Sequence, residues 1–94
     1  MKVTGHIRRQ NVRIKGRTYT TYYITLNSSL KRLDVVKKAL ERGYITIKIG
    51  DVAFTTNITL IGETHYIRIP KFIVNKHPEV VEGGEVEYEI LEPI

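Results

Sequence analysis

The sequence predicts a mainly β fold with two short helices, a small β-barrel built from two tandem ββαβ-type units within one domain, residues 1–94. Three observations predict it. Apolar and polar residues alternate in several short segments, two other segments have helical spacing, and the order of these elements occurs twice. A hydrophobic content of 41% in 94 residues suffices for one compact core.

The strands are predicted from alternate β-branched and aromatic residues, which would place every second side chain in the core. A glycine or a Gly-Asp pair follows several of these segments and predicts turns at Gly16, Gly62 and Gly50-Asp51. Such short strands favour a closed barrel, because closure removes exposed sheet edges. The predicted strand residues are Val12/Ile14, Tyr22/Ile24/Leu26, Ile45/Ile47/Ile49, Ile58/Leu60, Ile67/Ile69 and Val86/Tyr88/Ile90.

Two segments are predicted to be helical. Between Asn27 and Gly43 the apolar spacing becomes that of a helix of about three to four turns, with Asn27, Ser28 or Ser29 as the N-cap and Gly43 as the C-terminal stop. The second helix is expected to be shorter, over residues 71–76, because Pro70 can begin it and Pro78 follows soon after.

An internal repeat is predicted at approximately 1–50 and 51–94, since three blocks agree in their apolar positions and in their order. The halves are expected to interlock as one core. The matching blocks are 23–30 with 66–73, 43–49 with 84–90, and 12–16 with 58–62.

The charge is distributed unevenly along the chain. Residues 1–50 carry +10 and residues 51–94 carry −5 within an overall net charge of +5. Such local positive charge favours a polyanion, because phosphate attraction depends on the local potential. The acidic residues of the second half predict a solvated edge strand, or a face for a protein partner or a homodimer: Glu79, Glu82, Glu85, Glu87, Glu89 and Glu92.

Two groups of cations are candidate anion ligands. Lys31 and Arg32 lack an acidic partner four residues away, and in the first turn of the predicted helix they would oppose the macrodipole unless an anion were bound. The other group lies between residues 8 and 17. If that segment were extended, its odd-numbered cations would form a row of four on one strand face: Arg9, Arg13, Lys15 and Arg17. The candidate nucleic-acid-binding residues are Arg8, Arg9, Arg13, Lys15, Arg17, Lys31 and Arg32.

The sequence predicts neither a catalytic site nor a cofactor. There is no cysteine, the three histidines lack metal-ligand spacing, and no phosphate loop or nucleophile elbow is found. No segment has the length and hydropathy of a membrane span or the apolar region of a signal peptide, so we expect no membrane partner and a cytoplasmic location.

The N-terminal segment Lys2-Val3-Thr4-Gly5-His6-Ile7-Arg8 resembles the Lys-x-Thr-Gly-x-x-Arg opening of the AbrB-type transition-state regulators. The chain is also similar to that family in its Gly16-Arg17 turn and in Ile67-Arg68-Ile69-Pro70. The resemblance implies a swapped-hairpin, double-psi-like barrel that binds DNA, here as two tandem degenerate copies. By position, the family's DNA-contacting basic residues correspond to Arg8, Arg9, Arg17, Lys31 and Arg32.

The predicted function is DNA binding through the basic first repeat, as a transcriptional regulator or DNA-associated protein. Two alternatives stay open. One is an antitoxin-like or other protein-interaction module, and the other is a barrel that binds RNA or single strands, since Tyr19, Tyr22 and Tyr23 lie beside the basic run and tyrosines can stack on bases.

Overall fold

The computed structural model describes residues 2–78 and 80–91 as a small, mainly β domain of six strands and two α-helices. A 3-10 helix, Ser28–Arg32, precedes the first α-helix. In chain order the other elements are β1 (Lys2–Ile14), β2 (Arg17–Thr25), α1 (Asp34–Arg42), β3 (Tyr44–Ile49), β4 (Val52–Ile61), β5 (Thr64–Ile69), α2 (Lys71–Lys76) and β6 (Glu85–Leu91).

All six strands pair antiparallel in one sheet with the order β1-β2-β5-β4-β3-β6. The order closes on itself, because β6 pairs with β1 as well as with β3. The prediction that the acidic segment forms an edge strand is therefore wrong. Glu85, Glu87 and Glu89 lie on β6, which has neighbours on both sides, and Glu82 lies in the turn before it. Glu79 and Glu92 lie outside the described residues.

The core lies inside this closed sheet and consists mostly of isoleucine, whose β-branched side chain suits a pleated surface. Gly5 lets β1 approach the core closely, since a Cβ at this position would overlap the Cγ2 of Ile24 and contact the ring of Tyr88. Buried residues from five strands and both α-helices form one cluster, against which Val52, Phe54 and Ile58 of β4 pack partly buried. The cluster includes Ile7, Ile24, Val36, Ile47, Ile67, Ile73, Val80 and Tyr88.

The first predicted helix is divided in the structure. The chain forms the 3-10 helix at Ser28–Arg32 and begins α1 only at Asp34, after Leu33 in an extended conformation. The predicted N-cap from Asn27, Ser28 or Ser29 is therefore wrong for α1, whereas Gly43 ends it with a φ of 84° as expected. The second helix is confirmed at Lys71–Lys76.

The strand pairings are unchanged when β1, β2 and β3 are exchanged with β4, β5 and β6. Two backbone hydrogen bonds follow the same exchange: Ile7 N–H donates to Gly84 O, and Ile58 N–H donates to Gly43 O, both at 2.9 Å. Ile7 and Ile58 thus make matching contacts under this exchange. The two hairpins differ in length, because the β1–β2 hairpin has eight paired positions and the β4–β5 hairpin has four.

Candidate nucleic-acid interface

The β1–β2 hairpin extends beyond the closed sheet as a two-stranded arm. Pairing of β1 with β6 ends at His6, and pairing of β2 with β5 begins at Tyr22. From Gln10 opposite Thr21 to Ile14 opposite Arg17, the two strands pair only with each other in the described part of the chain. We call residues 10–21 the arm. Residues 11–20 are all exposed.

The end of the arm is a tight turn at Lys15 and Gly16. Both residues have positive φ, 51° and 79° respectively, which is the pattern of a type I′ turn and suits the twist of a hairpin. Glycine adopts this conformation freely, whereas Lys15 adopts it at some cost. The turn places Lys15 at the tip of the arm.

The register gives the arm two different faces. Ile7 and Ile24 lie opposite each other and point into the core. Because the ladder is unbroken, every second pair from there to the end of the arm lies on this same side of the hairpin. We call this the polar face, and a 2.9 Å hydrogen bond from Thr20 Oγ1 to Asn11 Oδ1 crosses it. It consists of Arg9, Asn11, Arg13, Thr18, Thr20 and Tyr22.

The opposite side of the arm, which we call the apolar face, carries exposed hydrophobic side chains. Val12 is 39%, Ile14 52% and Tyr19 50% exposed, and Val12 lies directly opposite Tyr19. Arg17 pairs with Ile14 on this face. The predicted row of four cations on one face is therefore wrong: Arg9 and Arg13 share the polar face, Lys15 lies in the turn, and Arg17 lies on the other side.

Arg8 lies at the base of the arm and contacts the second half of the chain. Its Nη1 donates a 2.6 Å hydrogen bond to the hydroxyl of Tyr66, and its guanidinium carbon lies 5.1 Å from the centre of that ring. Tyr23 packs against the same ring at 5.9 Å. Arg8 is thus a structural contact as well as a candidate ligand, because hydrogen bonds and cation–π contacts of this kind stabilise a fold.

Arg9 lies beside a groove of about 610 Å³ that runs between β2 of the arm and α2. Its Nη2 pairs with Glu82 Oε2 at 3.1 Å, and both side chains are about half exposed. Arg68 from β5 and Lys71 from α2 line the same groove, so cations from three elements surround it. The groove is lined by Arg9, Thr18, Tyr19, Thr20, Thr21, Tyr22, Arg68, Ile69, Lys71, Val74 and Asn75.

The sequence reasoning did not identify Arg68 and Lys71 as binding residues. They are distant from Arg9 in sequence, and only the pairing of β2 with β5 brings them beside the arm. Pro70 was the available signal, because it ends β5 and turns the chain into α2 next to the part of β2 that β5 does not cover.

Lys31 and Arg32 lie apart from the arm, in the last turn of the 3-10 helix, which packs mainly against α1. They are not in the first turn of an α-helix, so the predicted conflict with the macrodipole is wrong. The first turn of α1 contains Asp34, whose negative carboxylate interacts favourably with the positive end of the helix macrodipole.

Other potential sites are few in the described residues. Residues 2–78 and 80–91 contain no group of three His, Cys, Asp or Glu side chains that could hold a metal ion, and no helix there is long and apolar enough to cross a membrane. Burial raises the pKa of Tyr88 to about 12.

Comparisons of the chain with protein-family models, with curated proteins and with solved structures found no match.

Proposed function

We propose that this chain is a DNA-binding protein, most simply a transcriptional regulator or DNA-associated protein, that contacts phosphates through the arm and the groove at its base. The arm is the observation that carries the proposal. It presents Arg13, Lys15 and Arg17 on exposed backbone, and the sequence contains no acidic residue before Asp34. Neutralising phosphates with such cations releases counterions and favours binding.

The groove supports a contact surface that continues into the second half of the chain. Arg68 and Lys71 lie beside Arg9 there, and hydroxyl groups of β2 add hydrogen-bond donors of the kind that phosphate oxygens accept. The sequence hypothesis assigned binding to the first repeat alone. We therefore propose that Arg68 and Lys71 also contact phosphates. Lys31 and Arg32, on the 3-10 helix apart from the arm, would make a separate contact.

We also propose that the fold is a swapped-hairpin, double-psi-like barrel of two tandem copies. The symmetric pairing scheme and the equivalent hydrogen bonds of Ile7 and Ile58 support it. On this reading the first copy has lengthened its hairpin into the arm, and the second copy ends its hairpin at Gly62 and Glu63 without an arm. The first copy supplies the projecting part of the binding surface and the second completes the core.

Two alternatives each have one supporting observation. The exposed ring of Tyr19 beside basic residues favours stacking on the bases of RNA or single-stranded DNA. The exposed side chains of Val12, Ile14 and Tyr19 favour a protein-interaction module, since contiguous apolar patches mark protein contacts. In both alternatives the apolar face, and not the polar face, makes the principal contact.

A salt-titrated binding series on duplex DNA, single-stranded DNA and RNA of equal length tests the proposal. We expect duplex DNA to bind most tightly and its affinity to fall steeply with salt. Tighter binding of a single strand would replace the proposal with the stacking alternative. Absence of salt-sensitive binding to all three would refute nucleic-acid binding.

A further inference from the structure

We propose that the polar face of the arm enters the major groove of duplex DNA and contacts base edges, so that this protein recognises sequence as well as phosphate. The inference rests on the proposed DNA binding and adds its mode of recognition. It identifies Asn11 and Arg13 as the specificity-determining residues, and it assigns the cations at the base and tip of the arm to the phosphates that border the groove.

The shape of the arm fits this position. Its two strands stand about 4.8 Å apart and its five pairs extend about 17 Å beyond the closed sheet. The major groove of B-form DNA, about 12 Å wide, admits a two-stranded ribbon. A third strand would make the element too wide, and among the described residues the arm is the longest part of the sheet in which only two strands pair.

The side chains of the polar face are those that can distinguish bases. Arginine makes paired hydrogen bonds to guanine, asparagine makes them to adenine, and threonine can donate, accept or contact the thymine methyl group. Asn11 and Arg13 lie on the same strand two residues apart, about 7 Å, which is the spacing of about two base pairs. The hydrogen bond from Thr20 holds the Asn11 side chain across the face.

The apolar face offers less to the base edges. Val12 and Ile14 have no hydrogen-bonding group, and the register fixes them on the side opposite Asn11 and Arg13. Because the hairpin is paired without a break from Ile7 to Ile14, the two faces cannot exchange without breaking the ladder. One face of the ribbon therefore contacts the bases, and the chemistry selects the polar face.

The partner is duplex DNA and not duplex RNA. The major groove of an A-form RNA helix is deep and narrow, so side chains on a ribbon cannot contact the base edges there. Charge complementarity alone would not make this distinction, since both duplexes present phosphates to Lys15 and Arg17.

Selection from a library of DNA duplexes with a randomised centre tests the inference on the full chain. We expect the wild-type protein to enrich a short consensus, and we expect Arg13→Lys and Asn11→Ala each to lose preference at one or two of its positions. Arg13→Lys keeps the charge and removes the paired donors, so its salt dependence should stay unchanged. Affinity for the consensus duplex should fall about 5- to 150-fold, and affinity for a scrambled duplex much less.

The control variants are Val12→Thr and Ile14→Thr on the apolar face, outside the groove lining, which should leave the consensus unchanged. Binding of the library without any enriched consensus would overturn the inference and leave phosphate binding intact. A consensus that responds to Val12→Thr or Ile14→Thr but not to Arg13→Lys or Asn11→Ala would also overturn it. So would equal competition by an RNA duplex of the same sequence. Failure to bind any duplex would instead refute the proposed function.

Discussion

Removing the three cations of the arm should weaken salt-dependent binding without unfolding the protein. The variant is Arg13→Gln, Lys15→Asn and Arg17→Gln. Asparagine is chosen because Lys15 has a φ of 51°, and Asn-Gly is the preferred pair in a type I′ turn. The other two side chains are exposed, so the free energy of unfolding should change by less than about 0.5 kcal/mol per site.

The expected magnitude follows from the number of cations at the proposed interface. Arg13 is assigned to the bases, so two cations of the arm (Lys15 and Arg17) and three beside the groove (Arg9, Arg68 and Lys71) give a slope of log affinity against log salt of about −4.5 if each meets one phosphate. Between 50 and 200 mM salt the wild-type affinity should then fall about 500-fold, and that of the triple variant about 40-fold.

Fluorescence anisotropy with a labelled DNA duplex at several salt concentrations measures both slopes, and thermal unfolding checks the fold. The control variant, Lys37→Gln, Lys38→Gln and Lys76→Gln, removes the same charge from exposed positions outside the arm and the groove lining. It should keep a slope close to that of the wild type. If the control lowered the slope as much as the arm variant, binding would reflect overall charge, and the reasoning about the arm would be refuted.

Three further predictions concern the core and the base of the arm. Gly5→Ala should lower the free energy of unfolding in urea by about 1–3 kcal/mol or more, since its methyl group would overlap Ile24. Tyr88→Phe should be neutral or stabilising near pH 7, because the hydroxyl is buried without a partner among the described residues. Its raised pKa predicts that the wild type loses about 2 kcal/mol of stability relative to that variant as pH rises from 10 to 12, since the tyrosine ionises more readily once the protein is unfolded. Glu82→Gln should raise affinity for a DNA duplex about two- to fivefold by releasing Arg9.

Each of these has a contradicting result. Unchanged urea unfolding of Gly5→Ala would mean that β1 can move away from the core, and Gly16→Ala tests the separate effect of a positive φ at a glycine with open space around it. A loss of stability in Tyr88→Phe at neutral pH would mean that the hydroxyl has a partner. Equal affinity gains in Glu82→Gln and in Glu41→Gln, on exposed α1, would indicate a general charge effect.

Much of the local structure was predictable from the sequence, because it depends on nearby residues. Alternation of β-branched residues located β3 and β6, and Pro70 with Pro78 bounded α2 at Lys71–Lys76. Glycine marked the turns because positive φ is cheap only for that residue, and Gly16, Gly50 and Gly62 all have it. The concentration of positive charge in the first half is likewise a property of sequence alone.

The tertiary structure decided which elements are neighbours. The sequence could not show that β6 lies between β1 and β3, because each pairing joins residues far apart in the chain. For the same reason it could not show that Arg68 and Lys71 meet Arg9 beside the arm.

It also decided which side of a strand each cation occupies. Parity along an extended chain predicted one row of cations, but the turn at Lys15 and Gly16 reverses the chain and places Arg17 opposite Ile14. The length of the arm was equally hidden, since residues 10–21 alternate as any strand pair does. Whether a third strand covers them depends on where β5 and β6 end, which is set by packing in the shared core.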